Sequence, residues 1–159
     1  MEMNEMNLNE MEKVSGGRGG YAKKPAPRFG CDLYQIKKND TLIITGDFGF
    51  IWNGSKDEQK NLKKLTKKKY TILFVEGAHE NLDMIKENDE VDYCGGKAYK
   101  IAENIYCLKR GDVFEIEGRR VFALGDGLPP FEDEGEEKAP SMPDDDDLAH
   151  AVENLQANH

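Results

Sequence analysis

Two short polar motifs follow the two most apolar runs of the chain. A G-D pair ending at Asp47 comes after the run LII at positions 42–44, and a G-A-H-E motif with His79 and Glu80 comes after the run ILFV at positions 72–75. Aspartate and imidazole suit first-row divalent metals. The chemistry that they suggest is hydrolysis of a phosphoester, with Asp47 bridging two metal ions and His79 as a general acid or as a donor to the phosphoryl oxygens. Glu80 is a weaker candidate, expected to contact a metal ligand rather than the metal itself.

An ordinary structural role is also open for these residues. Asp47 could cap a turn, and His79 could cap the helix that follows it, because polar residues at strand ends mark sites only on a statistical basis. The arrangement of the surrounding elements therefore decides how much the motifs mean.

The elements that position the motifs read as strand, loop, helix, strand, loop and helix. Both apolar runs are short and rich in β-branched residues, which favours strands buried on both faces. Positions 55–69 carry Leu62 and Leu65 three apart among charged residues and predict a crossover helix. A crossover joins parallel strands, so Asp47 and His79 should meet at the carboxyl edge of the sheet, where open α/β folds place their ligands.

The remainder of the chain predicts a second sheet and a final helix. We expect a short helix at 80–86, a loop at 88–96, and strands at 98–102, 105–108, 113–116 and 119–124, the last two joined by a tight turn. The acidic run before Leu148 predicts the start of a helix over 144–158, whose apolar stripe also contains Val152 and Leu155. The class is α/β, with a β-meander that forms a second sheet on the first.

Composition sets limits on the type of protein. The 159 residues carry a net charge of −9, which disfavours nonspecific nucleic-acid binding. No apolar run is long enough for a membrane span, the start lacks the pattern of a signal peptide, and three widely spaced cysteines predict reduced thiols, so we expect a cytoplasmic protein. We divide the chain into a flexible leader with a glycine-rich loop at 1–30, a core at 31–130, and an acidic loop with a helix at 131–159.

The segment 38–124 resembles the calcineurin-like metallophosphoesterases of the bacterial and phage type. Its G-D-F-G at 46–49 is similar to the family motif G-D-x-x-G, with the second glycine one place early, and its G-A-H-E at 77–80 is similar to G-N-H-[ED]. The resemblance implies a four-layer α/β/β/α sandwich, here incomplete, with divalent Mn, Fe or Zn at the sheet edge. It also implies that Asp47 is the metal bridge and that His79 is the catalytic partner of the phosphoryl group.

Several positions depart from the family pattern. Ala78 stands where the family has an asparagine ligand, and its methyl group cannot coordinate a metal. The closest overlay on the family's opening motif is GGRGG at 16–20, which lacks both ligands and would place Arg18 near the pocket. His150 and His159 lack a G-x-H setting and are expected at the surface. With only Asp47 left of the usual ligand set, we expect impaired or lost catalysis.

Three hypotheses from different classes follow. A working hydrolase would need substitute ligands from Glu76, Asp126 or a second subunit. A non-catalytic regulatory or binding protein on the same scaffold would bind a phosphorylated small molecule or a nucleotide, with Arg18 holding the phosphate. A fragment or altered chain without an evolved role would expose sheet edges and apolar surface, and it would therefore oligomerise or aggregate.

Overall fold

A computed structural model of the protein describes residues 36–125 and 143–158. It contains seven strands and three helices in these ranges: β1 (Thr41–Thr45), α1 (Lys56–Leu65), β2 (Thr71–Val75), α2 (Leu82–Lys86), β3 (Glu90–Tyr93), β4 (Gly96–Ala102), β5 (Ile105–Leu108), β6 (Val113–Ile116), β7 (Arg119–Phe122) and α3 (Asp145–Ala157). Arg18, Asp126 and His159 lie outside the described residues, as does the glycine-rich run, so the predictions made for them stay predictions. In the part that is described, no helix has the length and apolar character needed to cross a membrane.

The main sheet is mixed, with the strand order β1-β2-β5-β4-β3. β2 pairs in parallel with β1 on one side and with β5 on the other, whereas β4 pairs antiparallel with both β5 and β3. The α/β class and the parallel crossover from β1 through α1 to β2 are therefore confirmed. β6 and β7 form a separate antiparallel hairpin.

The sequence prediction was wrong about which strands leave the main sheet. Positions 88–96 are not simply a loop, because they contain β3, and β4 and β5 join the first sheet rather than the second. The turn between β3 and β4 is Cys94-Gly95, both with positive φ, a two-residue turn with glycine second. In the described ranges, the second sheet consists of β6 and β7.

The two sheets share one apolar core. Its buried members come from β2, β4 and β5 on one side and from the hairpin region on the other: Leu73, Ala98, Leu108, Phe114, Ile116 and Ala123. On the opposite face of the main sheet, Phe48 stacks on Phe74 with ring centroids 4.3 Å apart. β1 is not buried on both faces as expected, since Ile43 is 37% exposed.

The helices begin and end at identifiable side-chain contacts. Ser55 caps α1, and α1 ends at Leu65 rather than 69, where the amide of Asn104 donates to the carbonyls of Leu65, Lys68 and Tyr70. α2 begins two residues later than predicted, because Asn81 is its N-cap. The final helix agrees with the prediction, and Asp144 and Asp147 form its capping box.

α3 is attached by polar contacts, and its apolar stripe, Leu148, Val152 and Leu155, is exposed in the described part of the chain. His150 was expected at the surface, and its side chain is 44% exposed. Its Nε2 nevertheless lies 2.6 Å from the buried carboxylate of Asp112, so His150 also links α3 to the β5–β6 connection. The amide of Asn154 donates to the Asp112 carboxylate at 3.0 Å and to the Gly111 carbonyl at 2.9 Å.

Replacing Asn154 with alanine should destabilise the fold by about 1–3 kcal/mol, because buried acceptors on the β5–β6 connection lose a donor. Glu153→Ala, an exposed change one residue away, should stay within about 0.5 kcal/mol. Urea unfolding followed by circular dichroism measures both. Equal effects of the two substitutions would mean that other contacts hold α3 in place.

Candidate functional site

The structure brings Asp47 and His79 together at the carboxyl ends of β1 and β2. His79 Nδ1 lies 3.1 Å from Asp47 Oδ1, and the two side chains are 54% and 59% exposed. They follow strands that pair in parallel in register, so the meeting is a direct consequence of the crossover. The exposed faces of both groups leave room for a ligand to approach.

The two loops that carry this pair are in close contact. A Cβ placed on Gly77 would lie 2.4 Å from the amide nitrogen of Asp47 and 2.6 Å from its Oδ1, so only glycine fits. Asp47 itself has a φ of +52°, in the left-handed region that most residues avoid. The position of its carboxylate is therefore set by the backbone of both loops.

The side chain of Glu80 connects these two loops through hydrogen bonds to both. Its side chain is buried, with one oxygen accepting from the Gly49 amide at 2.6 Å and the other from the Gly77 amide at 2.6 Å. Burial raises the pKa of this carboxyl, and the two amide donors act in the opposite direction. With both oxygens engaged, Glu80 positions the loops that hold Asp47 and His79.

A second cluster of polar residues occupies the same edge. Arg110, just beyond β5, makes an ion pair with the buried Glu76 through Nε and contacts Asp147 through a guanidinium nitrogen at 3.1 Å. Glu76 was considered as a substitute metal ligand, but its carboxylate is bound to this guanidinium. Sequence analysis missed Arg110, because the strand before it, β5, was assigned to the second sheet; the available signal was a cationic residue two positions after the end of a predicted strand.

Beside this cluster lies a cavity of about 260 Å³ that is lined in part by Lys86, Lys109 and Arg110. Cys107 also lines the cavity, and burial raises the pKa of its thiol well above the usual range, an effect to which the Glu76 carboxylate adds. Among the described cysteines, Cys94 is exposed and Cys107 is buried, and neither is in a disulfide. The cavity is a mixed polar pocket with three cationic side chains and two acids, Glu76 and Asp147, at its wall.

Within residues 36–125 and 143–158, the side chains at this edge do not fit a pair of divalent metal ions. Asp47 offers one oxygen beyond its contact with His79, His79 offers Nε2, and Ala78 offers no ligand atom. Across the described ranges, no three His, Cys, Asp or Glu side chains are grouped so that they could hold a metal ion. Catalytic zinc sites use about three protein ligands for a single ion.

Comparisons of the chain with models of protein families, with curated proteins and with solved structures found no match. The chemistry of the site is accordingly inferred from its own geometry.

Glu80→Gln should lower the free energy of unfolding by about 1–3 kcal/mol at neutral pH, since an amide cannot accept at both of its ends and one buried N–H loses its partner. Glu87→Gln, an exposed change just after α2, is the matched control and should have little effect. Urea denaturation of both variants measures the difference. If Glu80→Gln were as stable as the control, the connection between the two loops would not depend on this carboxylate.

Proposed function

We propose that this protein is a metallophosphoesterase-like α/β protein whose Asp47–His79 edge binds a phosphorylated small molecule or a nucleotide, and whose metal-dependent hydrolysis is impaired or lost. The observation that carries this proposal is the 3.1 Å contact between an aspartate and a histidine at the ends of two parallel strands. Open α/β sheets bind their ligands at this edge.

The layer arrangement supports the proposal. The core cluster joins the main sheet to the β6–β7 hairpin through Leu73, Leu108 and Phe114, so two sheets pack face to face, and α1 is the crossover between two strands of the larger sheet. We propose that these layers belong to an incomplete α/β/β/α sandwich of the metallophosphoesterase kind.

The contact between the two side chains indicates how a phosphate would be held. If His79 donates to Asp47 from Nδ1, the neutral ring has only an acceptor at Nε2, whereas the protonated ring has a second donor there. An unprotonated phosphate oxygen can therefore accept a hydrogen bond from Nε2 only when the ring is protonated. The Asp47 carboxylate pairs with that imidazolium but repels the phosphate itself. Without a metal, the imidazolium is the group that carries recognition.

The alternative is a working hydrolase, with Asp47 on a metal ion. The set of ligands argues against it, because Glu80 and Glu76 are bound to backbone amides and to Arg110 respectively. A non-catalytic ligand-binding protein on the same scaffold needs no such ligands, and the open Asp47–His79 edge suffices.

A metal titration separates these alternatives. We expect calorimetry with Mn²⁺ to show no tight binding, and we expect turnover of an aryl phosphodiester with Mn²⁺ to stay at the level of the Asp47→Asn variant. The reason is that the described side chains at this edge provide too few metal ligands. Tight Mn²⁺ binding together with turnover that Asp47→Asn abolishes and Ala78→Asn raises would instead establish a hydrolase.

Ligand binding can be measured separately by thermal shift. A nucleoside monophosphate at about ten times its Kd should raise the free energy of unfolding by about 1.4 kcal/mol and raise Tm by a few degrees, and the nucleotide should not be consumed. His79→Gln should remove the shift, because the amide provides no cationic donor. His150→Gln, a histidine change at Asp112 rather than at this edge, should lower Tm but keep the shift. A shift of equal size in the His79→Gln variant would place binding elsewhere.

A further inference from the structure

The indole of Trp52 is a large apolar surface held out into solvent. The residue is 48% exposed, although its neighbour Ile51 is buried. The backbone beneath it is fixed by Glu58, whose carboxylate accepts from the amides of Trp52, Asn53 at 3.2 Å and Gly54 at 2.6 Å. The exposed ring is therefore carried by a loop whose backbone is anchored by Glu58.

A row of lysines begins four residues later, on α1. The row consists of Lys56, Lys60, Lys63, Lys64 and Lys67. Successive members are four, three, one and three residues apart, which places all five on one side of the helix and its C-terminal extension. Together with Gln59 they line a shallow depression of about 470 Å³. All five are exposed, and within the described part of the chain no acidic side chain lines the depression. The result is a strongly cationic face.

Two residues connect the Trp52 loop to its surroundings. Gln59, which lines the lysine depression, donates from Nε2 to the Gly54 carbonyl at 3.0 Å. Asn81, two residues after His79, donates from its side chain to the Trp52 carbonyl at 3.3 Å and from its backbone to the Ile51 carbonyl at 2.7 Å. The indole thus stands on a loop that contacts both the lysine helix and the segment that carries His79.

We propose that the Trp52 loop and the lysine row of α1 form a binding surface for single-stranded nucleic acid. The lysines neutralise the phosphate backbone, and an unpaired base stacks on the indole. Proteins that bind single strands combine these two elements, a cationic track and an aromatic platform. The proposal goes beyond ligand binding at Asp47 and His79 and does not depend on it.

The combination favours a single strand over other polyanions. A duplex keeps the faces of its bases stacked inside, so the indole would have nothing to stack on. An acidic polypeptide would use the lysines but would have no specific use for the exposed ring. The net charge of −9 disfavours nonspecific nucleic-acid binding by the chain as a whole, and four consecutive aspartates at 144–147 contribute to that sum. A ligand on α1 meets the local charge instead.

The chain has one tryptophan, so its intrinsic fluorescence reports on the proposed contact directly. The experiment is a titration with a single-stranded oligothymidylate of about 15 nucleotides, a length of the order that such sites cover. It is followed by the anisotropy of a dye on the oligonucleotide and by Trp52 emission. EDTA is present throughout, so that any failure of the phosphoesterase proposal leaves this measurement unaffected.

We expect binding that quenches Trp52, is weakened about 10-fold in Trp52→Ala, and is largely retained in Trp52→Phe. Lys60→Gln/Lys64→Gln should weaken binding and reduce the slope of log K against log salt by about 1.4, at about 0.7 per phosphate contact. The matched control is Lys97→Gln/Lys100→Gln on β4, two strands from β2 in the main sheet, which also removes two positive charges, here from ion pairs with Asp92 and Glu103. It should leave affinity unchanged.

Three outcomes would overturn the proposal. The first is binding with no change in Trp52 emission, and the second is equal loss in the two double-lysine variants. The third is tighter binding to duplex DNA, heparin or phosphatidylserine vesicles than to the single strand, which would mean that the face recognises charge or a membrane instead.

Discussion

A buried carboxylate holds the two strand-end loops in one position. Glu80 accepts from the Gly49 amide with one oxygen and from the Gly77 amide with the other, and these amides belong to the loops that carry Asp47 and His79. Burial opposes its negative charge, as the direction of its pKa shows. The two donors offset that cost only when both loops are in place. The charge therefore links the geometry of one loop to that of the other.

The same edge contains a second buried acid with a different task. Glu76 binds Arg110, and Arg110 also contacts Asp147 at the start of α3, so this ion pair links the main sheet to the final helix. Removing one partner of such a pair leaves an uncompensated buried charge. Both buried acids therefore join elements of the fold, whereas the Asp47 carboxylate beside His79 is 59% exposed.

Sequence patterns predicted the elements of the fold correctly where the signal was local in the chain. The two apolar runs and the helix between them predicted the parallel crossover, and that alone brought Asp47 near His79. The strand β3 was missed because Cys94-Gly95 is not a common turn pair, and β5 was assigned to the wrong sheet because its pairing with β2 depends on contacts far apart in sequence. Nothing in the periodicity distinguishes Glu80, since accepting two backbone amides is a property of the folded loops. The end of α1 could not be predicted from local sequence either, because the Asn104 side chain that donates to the Leu65 carbonyl lies 39 residues further along the chain.

Charge illustrates a further limit of composition. The sum over the chain is −9, yet the acids near the start of α1 are used locally, Glu58 on the amides of the preceding loop and Asp57 in the first turn of the helix. The lysines that follow have no comparable local acceptors in the described part of the chain and extend into solvent. Fields at a surface decay within about 10 Å at ordinary salt, so acids elsewhere in the chain do little to cancel this face. A protein that is acidic on average can therefore present a cationic helix, and the placement of each charge, rather than its sum, determines which ligands the surface attracts.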